Sequence, residues 1–426
     1  MLKYTQAYTM FKEMIADGRL RRGERMPSIR RAAELYRISR TTVQNAYFQL
    51  AAEGYIYAKP QSGYFVAGGP KAPATPMPRP QVQTPPRLDL TGNSADLSSF
   101  DFSLWQRYIK SALRQRQRLL TYSEPQGEYD LRCALADYVR ERRNVVTAPE
   151  HIVVGAGVQM LLEILCVLLK GRRTVSFPDG SFVQGSTVFA AHGYTVRTRY
   201  KDADIIYVSP SHMNRQGDVM PIQRRLELCA HSADTGAVVI EDDFENDFLY
   251  SSTPSLYALG SGNVVYMGAF SALLLPGIRI SFMVLSPALA AAYHQMKDTF
   301  AQTASKTEQI ALCAYLRDGN MKSRTKKIRR LYTGKAKALC ALLAKALPDH
   351  PVRVGENGLQ VQIETPMLPD SAPFEQAGLA LYIVKEKSGK NIVVVSPSAV
   401  PADRLEEAAH AVAAALYKAE EAAKAK

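Results

Sequence analysis

The chain has 426 residues, a formal net charge of +13, and 46% hydrophobic residues. This length provides for about two or three domains, and this hydrophobic fraction excludes a chain that is disordered throughout. Its apolar runs are shorter than the ~18 residues of a membrane span, and its first residues do not resemble a signal peptide. Its five cysteines form no CxxC pair, which argues against a disulfide framework or a zinc ribbon. We expect a soluble, cytoplasmic protein with no metal site and no membrane partner.

The positive charge is concentrated near the start of the chain. Residues 1–66 contain eleven Lys and Arg against five Asp and Glu, so +6 of the net +13 lies there. Such an excess is typical either of a solvated basic face or of a segment that binds a polyanion.

The same segment predicts three helices followed by a hairpin. Apolar residues at helical spacing predict a first helix over residues 4–15, and Pro27 and Ser28 begin a second that runs to Tyr36. Ser39 is placed to cap a third helix, whose first turn would present Arg40 to the major groove of DNA. Residues 55–57 and 64–66 then predict two strands joined by a basic tip that contains Gly63.

Residues 18–67, GRLRRGERMPSIRRAAELYRISRTTVQNAYFQLAAEGYIYAKPQSGYFVA, resemble the winged helix-turn-helix of the GntR superfamily. The resemblance implies a DNA-binding domain over residues 1–67 with operator DNA as its partner. It implies phosphate and base contacts from Arg30 and Arg40, a recognition helix that starts at Ser39, Thr41 and Thr42, and a wing that contains Gly63.

A proline-rich stretch follows this domain. Residues 68–87 contain seven prolines and almost no large apolar side chain, which predicts an extended linker between domains. From residue 88 to residue 426, strand-like runs alternate with helical patterns, which predicts an α/β domain with a mostly parallel sheet. The predicted strands are residues 151–154, 174–177, 204–208, 237–241, 264–267 and 280–285.

Three motifs in this second domain indicate a ligand site. Glu241, Asp242 and Asp243 lie at the carboxyl end of a predicted strand, where open α/β sheets bind ligands. Residues 155–159 form a glycine-rich turn from a strand to a helix, and Arg279 lies in a second glycine-containing segment. Backbone N–H groups and a guanidinium are the groups that bind a phosphate, so the motifs indicate a phosphorylated cofactor.

The second domain resembles the fold type I aminotransferases, and the chain as a whole resembles the MocR subfamily of GntR regulators. The stretches that carry the resemblance include TYSEPQGEYDLRCALADYVRERRNV, VSPSHMNRQGDVMP, VIEDDFENDFLY and GAFSALLLPGIRISFMVL. The resemblance implies pyridoxal 5'-phosphate as the cofactor and a homodimer in which the DNA-binding heads can be swapped. It implies the following cofactor contacts: Asp242 to the protonated ring nitrogen, Phe182 stacked on the ring, Arg279 and Ser271 to the phosphate, the backbone of Gly157 and Val158, Asn214 to the ring hydroxyl, and Tyr122 of the partner subunit to the phosphate.

The sequence departs from this family at the residue on which catalysis depends. Ala272 stands where the family has the lysine that forms a Schiff base, so this chain has no amine there. Phe244 replaces a tyrosine, Ala156 and Ala269 replace hydroxyl residues, and residues 391–396 lack the arginine that usually binds a substrate carboxylate. Ala272 is explained either by a natural, non-covalent pocket or by a lysine-to-alanine form of a covalent binder.

These observations predict a transcriptional regulator with no catalytic residue, which senses pyridoxal 5'-phosphate or its adduct with an amino compound. Two alternatives remain. One is a pyridoxal phosphate-dependent aminotransferase with an accessory DNA-binding domain, and the other is a domain that only dimerises the heads.

Overall fold

The computed structural model describes residues 3–67, 85–244, 246–249, 253–260, 262–367, 369–385 and 389–424. The chain divides into two units, residues 1–84 and residues 85–426. The predicted linker, residues 68–87, lies outside the described residues except for its last three. No helix in the described ranges is both long enough and apolar enough to cross a membrane.

The smaller unit has the predicted order of three helices and a hairpin. Its elements are α1 (Lys3–Ala16), α2 (Ile29–Tyr36), α3 (Arg40–Ala52), β1 (Ile56–Lys59) and β2 (Gly63–Val66). Ser28 and Ser39 cap α2 and α3, each by accepting a backbone N–H of the first turn, which is the usual role of serine at this position.

An aromatic cluster fills the centre of the smaller unit. Phe11 of α1 is fully buried and meets the rings of Tyr36 and Tyr47 edge to face, with centroids 5.3 and 5.2 Å apart. The hairpin covers this cluster, since Tyr64 lies 5.3 Å from Tyr47. The apolar faces of all three helices therefore meet in one core, as their periodicity predicts.

The larger unit alternates strands and helices over most of its length. Its elements in chain order are β3 (Leu88–Asp89), α4 (Phe102–Arg114), α5 (Arg116–Leu119), α6 (Tyr129–Arg143), β4 (Ile152–Gly155), α7 (Val158–Leu168), β5 (Thr174–Phe177), α8 (Val183–Ala191), β6 (Thr195–Thr198), β7 (Ile205–Val208), α9 (Ile222–Thr235), β8 (Val238–Asp242), α10 (Leu256–Leu259), β9 (Val264–Ala269), β10 (Ser281–Val284), α11 (Pro287–Met296), α12 (Lys306–Arg317), α13 (Asn320–Ala346), β11 (Val352–Val354), β12 (Val361–Thr365), α14 (Ala372–Gln376), β13 (Leu379–Ala380), β14 (Tyr382–Lys385), β15 (Asn391–Val395) and α15 (Leu405–Lys424).

Among the described residues, the main sheet has seven strands in the order β4-β10-β9-β8-β7-β5-β6. β10 runs antiparallel to both of its neighbours, and the other pairs are parallel. The prediction of a mostly parallel α/β sheet is confirmed. The carboxyl ends of β5, β7, β8 and β9 therefore lie at one edge of the sheet.

A second sheet, which the sequence pattern does not predict, lies toward the end of the chain. Its four strands are antiparallel in the order β11-β12-β15-β14 within the described residues. α13 and α15 share a core with this sheet. β15 is buried at every position, so it lacks the alternation of buried and exposed residues that identifies a strand in a sequence.

A buried ion pair joins α6 to the end of β8. Nε of Arg143 lies 2.5 Å from Oδ2 of Asp243, and both side chains are almost completely buried. Arg143 also donates to the carbonyl of Thr253, while Asp243 accepts from the hydroxyls of Ser211 and Tyr266. Removal of the Asp243 carboxylate would leave the Arg143 guanidinium as a buried charge without its counter-ion.

Asp243→Ala should lower the free energy of unfolding of the larger unit by about 3–5 kcal/mol, because it leaves the buried Arg143 guanidinium without a counter-ion. The measurement is urea unfolding followed by fluorescence of the single tryptophan, Trp105, which lies in the larger unit. The control is Asp137→Ala, which removes an exposed ion pair with Arg140 on the same helix and should cost less than about 0.5 kcal/mol. Equal effects of the two substitutions would contradict the assigned role.

Candidate functional site

A cavity of about 580 Å³ opens in the larger unit at the carboxyl ends of the parallel strands. Loops that follow strands of the main sheet form one side of it, and residues of β14 and β15 contribute to the other. The cavity wall brings together the following predicted cofactor residues: Gly157, Val158, Phe182, Asp242, Ser271 and Arg279. This position at a strand edge is the usual ligand site of open α/β sheets.

Only one of the three consecutive carboxylates at the end of β8 lines the cavity. Glu241 accepts the backbone N–H groups of Leu256 and Tyr257, at 2.9 and 3.0 Å, and Asp243 is held in the ion pair described above. Burial, together with the charge of Asp243, raises the pKa of Glu241 to about 7. Asp242 points to the other side of the strand, because successive side chains of a strand alternate.

An aromatic cluster contacts the Asp242 carboxylate through the hydroxyl of Tyr207. The hydroxyl of Tyr207 donates a short hydrogen bond to Oδ2 of Asp242, and the Tyr207 ring lies 4.9 Å from Phe177 and 5.3 Å from Phe182. Burial and the nearby negative charge of Asp242 raise the pKa of Tyr207 well above its usual value. The phenol therefore keeps its proton and remains a donor to Asp242, which is 5% exposed.

The start of α7 and Arg279 form a second, positively polarised part of the wall. Gly157 precedes α7 with φ +101°, and no side chain caps this end of the helix. A Cβ at Gly157 would stand 2.4 Å from Nη2 of Arg279, which donates to the carbonyl of Ala156 at 3.3 Å. The backbone conformation therefore favours glycine, and a side chain here would displace the guanidinium from its position beside the helix. Helix N–H groups beside a guanidinium form a site for an anion.

The turn after β9 places Ala272 in the cavity wall. Its methyl group is half-buried and packs against the core of the unit, next to Ser271. Phe244 also lines the cavity, 5.5 Å from the ring of His212. No lysine from the described part of the chain lines the cavity, so these residues supply no amine for a covalent bond to a ligand.

Two predicted cofactor residues lie outside the cavity wall of this chain. Asn214 holds a turn instead, since its Nδ2 donates to Asp218 at 2.7 Å and its Oδ1 accepts the backbone N–H of Gln216 at 3.1 Å. Tyr122 is fully exposed, and the resemblance places its role in a partner subunit. Both assignments stay predictions.

The cavity wall also contains residues that are absent from the predicted set, among them Tyr207, Arg215 and Tyr382. Tyr207 lies within a buried strand, where an aromatic residue is expected in any case. Arg215 and Tyr382 are 167 positions apart, and no local pattern connects them. Only the fold brings them to one wall.

The residues predicted to bind DNA lie at the start of α3, on α2 and in the hairpin of the smaller unit. Ser39 and Thr42 are engaged with each other at the start of α3, where Oγ of Ser39 accepts the N–H of Thr42 at 3.1 Å. Arg40 and Thr41 are exposed on the same turn. Arg30 is exposed on α2 and pairs with Glu34 at 3.2 Å, and Gly63, with φ +92°, begins the second strand of the hairpin.

Two protein families match the two parts of the chain. Residues 3–66 match the gntR family of bacterial regulatory proteins, and residues 89–402 match the aminotransferase class I and II family. The larger unit is also similar to a solved structure of LysN, an α-aminoadipate aminotransferase from Thermus thermophilus. That match has a TM-score of 0.67 and 23% identity, and it covers 78% of this chain and 93% of LysN.

Curated relatives have the same combination along most of their length. The uncharacterized HTH-type transcriptional regulator YhdI of Bacillus subtilis is 35% identical over 384 residues, which are 84% of this chain and 82% of YhdI. The probable rhizopine catabolism regulatory protein MocR of Rhizobium meliloti is 28% identical over 398 residues, 84% of this chain and 80% of MocR. The chain belongs to the MocR subfamily of GntR transcriptional regulators, in which a helix-turn-helix DNA-binding domain is fused to an aminotransferase-like domain.

Proposed function

We propose that this regulator senses pyridoxal 5'-phosphate, or its adduct with an amino compound, by holding it non-covalently in the cavity of the larger unit. The observation that carries the proposal is the pairing of a buried carboxylate, Asp242, with an anion site at Gly157 and Arg279, in a wall to which the described residues contribute no lysine. The aminotransferase class I and II match supports the choice of ligand, as does the LysN structure, which is a complex with N-(5'-phosphopyridoxyl)-L-leucine.

The residues of the wall fit this ligand group by group. Asp242 would pair with the protonated ring nitrogen, and Phe182 would cover the ring. Arg279, Ser271 and the start of α7 would bind the phosphate, since a helix N-terminus and a guanidinium both favour a dianion. When bound in enzymes, this cofactor acts as an electron sink for carbanion chemistry. Here the methyl group of Ala272 can neither attach the aldehyde nor move a proton.

Regulation requires that the ligand bind one arrangement of the protein more tightly than another, because equal affinity shifts no equilibrium. We propose a homodimer, in which two DNA-binding heads engage paired half-sites of an operator. Occupation of the cavity would then change the relative population of two arrangements of the heads. The tendency of exposed basic residues to bind any DNA makes a stated salt concentration essential in each binding measurement.

The alternative function is that of a pyridoxal phosphate-dependent aminotransferase with an accessory DNA-binding domain. The match over residues 89–402 favours this alternative, because aminotransferase enzymes share the fold. The absence of an amine at position 272 argues against it. Sustained transfer of amino groups by the chain with Ala272, over a panel of amino donors, would establish the enzyme and contradict our proposal.

Calorimetric titration with pyridoxal 5'-phosphate should show saturable binding at about one molecule per chain, as expected if the ligand occupies this cavity. Asp242→Ala and Arg279→Ala should each weaken binding by about tenfold or more, because each removes a charged hydrogen-bond partner. The controls are Asp137→Ala and Arg224→Ala, which remove exposed carboxylate and guanidinium groups outside the cavity wall. If the unchanged chain binds neither pyridoxal 5'-phosphate nor a phosphopyridoxyl adduct of an amino compound, the sensor proposal fails.

Ala272→Lys should convert the site into a covalent one. Reduction with borohydride after incubation with pyridoxal 5'-phosphate should then fix a phosphopyridoxyl group on the peptide that contains residue 272, as mass spectrometry would show. The matched control is Ala258→Lys, which adds a lysine at an exposed position of α10. Equal labelling of the two lysines would mean that position 272 does not face a bound cofactor.

Arg40→Ala should reduce affinity for an operator selected from a random duplex library by about 1–3 kcal/mol, if Arg40 reads a base. Fluorescence anisotropy at one stated salt concentration measures the change. Arg19→Ala is the control, since Arg19 is an exposed arginine of the same unit whose guanidinium is engaged by Asp17. An unchanged affinity for Arg40→Ala would refute the assigned contact.

A further inference from the structure

The cavity wall contains a second guanidinium that the contacts proposed for the cofactor do not use. Arg215 belongs to the loop between β7 and α9, and its side chain is half-buried in the wall. The phosphate is already provided for by Arg279 and the start of α7. A further cation in the same cavity therefore requires its own explanation.

The position of Arg215 is fixed from both sides of the cavity. Its guanidinium lies 3.8 Å from the centre of the Tyr382 ring, and its Nη2 donates to the carbonyl of Ser181 at 3.2 Å. Tyr382 is itself held, because its hydroxyl accepts a hydrogen bond from Asn93 at 3.1 Å. A planar guanidinium that is covered on one face keeps its edges available for in-plane hydrogen bonds.

None of these contacts neutralises the charge of Arg215. Within the described ranges, no carboxylate lies within ion-pair distance of it. Other buried arginines of the unit are better satisfied: Arg143 pairs with Asp243, and Arg225 donates to three backbone carbonyls. The remaining N–H groups of Arg215 are thus available to a ligand in the cavity.

We infer that Arg215 binds the carboxylate of the effector, so that the ligand is an amino acid joined to pyridoxal 5'-phosphate rather than the cofactor alone. This inference rests on the proposed function. A carboxylate matches the two parallel N–H groups of a guanidinium edge, which gives a strong and directional pair. Tyr382, whose ring covers one face of the guanidinium, would orient it toward the carboxylate.

The test uses stable, reduced adducts that differ only in the carboxylate. The probes are N-(5'-phosphopyridoxyl)-L-alanine, N-(5'-phosphopyridoxyl)-β-alanine and N-(5'-phosphopyridoxyl)ethylamine, each titrated calorimetrically into the full chain. We expect the L-alanine adduct, the β-alanine adduct or both to bind at least about tenfold more tightly than the ethylamine adduct, because a charged hydrogen bond contributes that much.

Arg215→Gln should abolish this preference and leave the affinity for the ethylamine adduct within about twofold, which also shows that the variant is folded. Arg215→Lys should keep only part of it, because an ammonium cannot form the paired hydrogen bonds. The matched control is Arg224→Gln, which alters an exposed arginine on α9 and should keep the full preference.

The outcomes separate the inference from the proposed function. If all three adducts bind the unchanged chain equally, the cavity is a cofactor site and the role of Arg215 is refuted. If the preference survives in Arg215→Gln, another residue binds the carboxylate and the inference is again overturned. If no adduct binds, the sensor function and the inference fail together.

Discussion

The alternation of side chains at the end of β8 is the constraint on which the cavity depends. Three carboxylates follow one another there, and a strand must point the middle one away from its neighbours. Glu241 and Asp243 are used to fix α10 and α6 to the sheet, which leaves Asp242 as the carboxylate of this run in the cavity wall. The stability of the larger unit and the polarity of its cavity thus come from the same three residues.

Local patterns in the sequence are sufficient for the parts of the fold in which neighbours along the chain determine the structure. The three helices of the smaller unit follow from their apolar periodicity and from the caps Ser28 and Ser39. The parallel strands follow from apolar runs bounded by turns. Gly157 and Arg279 can be recognised for a similar reason, because a glycine-rich turn before a helix has a direct physical meaning for an anion.

The rest depends on contacts between distant segments, which no local pattern reveals. The antiparallel sheet escapes prediction because strands such as β15 are buried on both faces. The wall around Arg215 escapes for a different reason: its partner Tyr382 comes from that second sheet, and its carbonyl acceptor, Ser181, comes from the loop before α8. Asn214, whose cofactor contact is implied by the resemblance and stays a prediction, holds a turn in this chain through a hydrogen bond to Asp218.

The methyl group at position 272 has a kinetic consequence. A Schiff base with a lysine would have to be hydrolysed or exchanged before the ligand could leave, which adds a chemical step to release. In the proposed non-covalent site, a ligand held by contacts to Asp242, Arg279 and their neighbours would leave at a rate that those contacts set, and its occupancy would follow the free concentration. The proposed site would therefore respond to a fall in ligand as readily as to a rise.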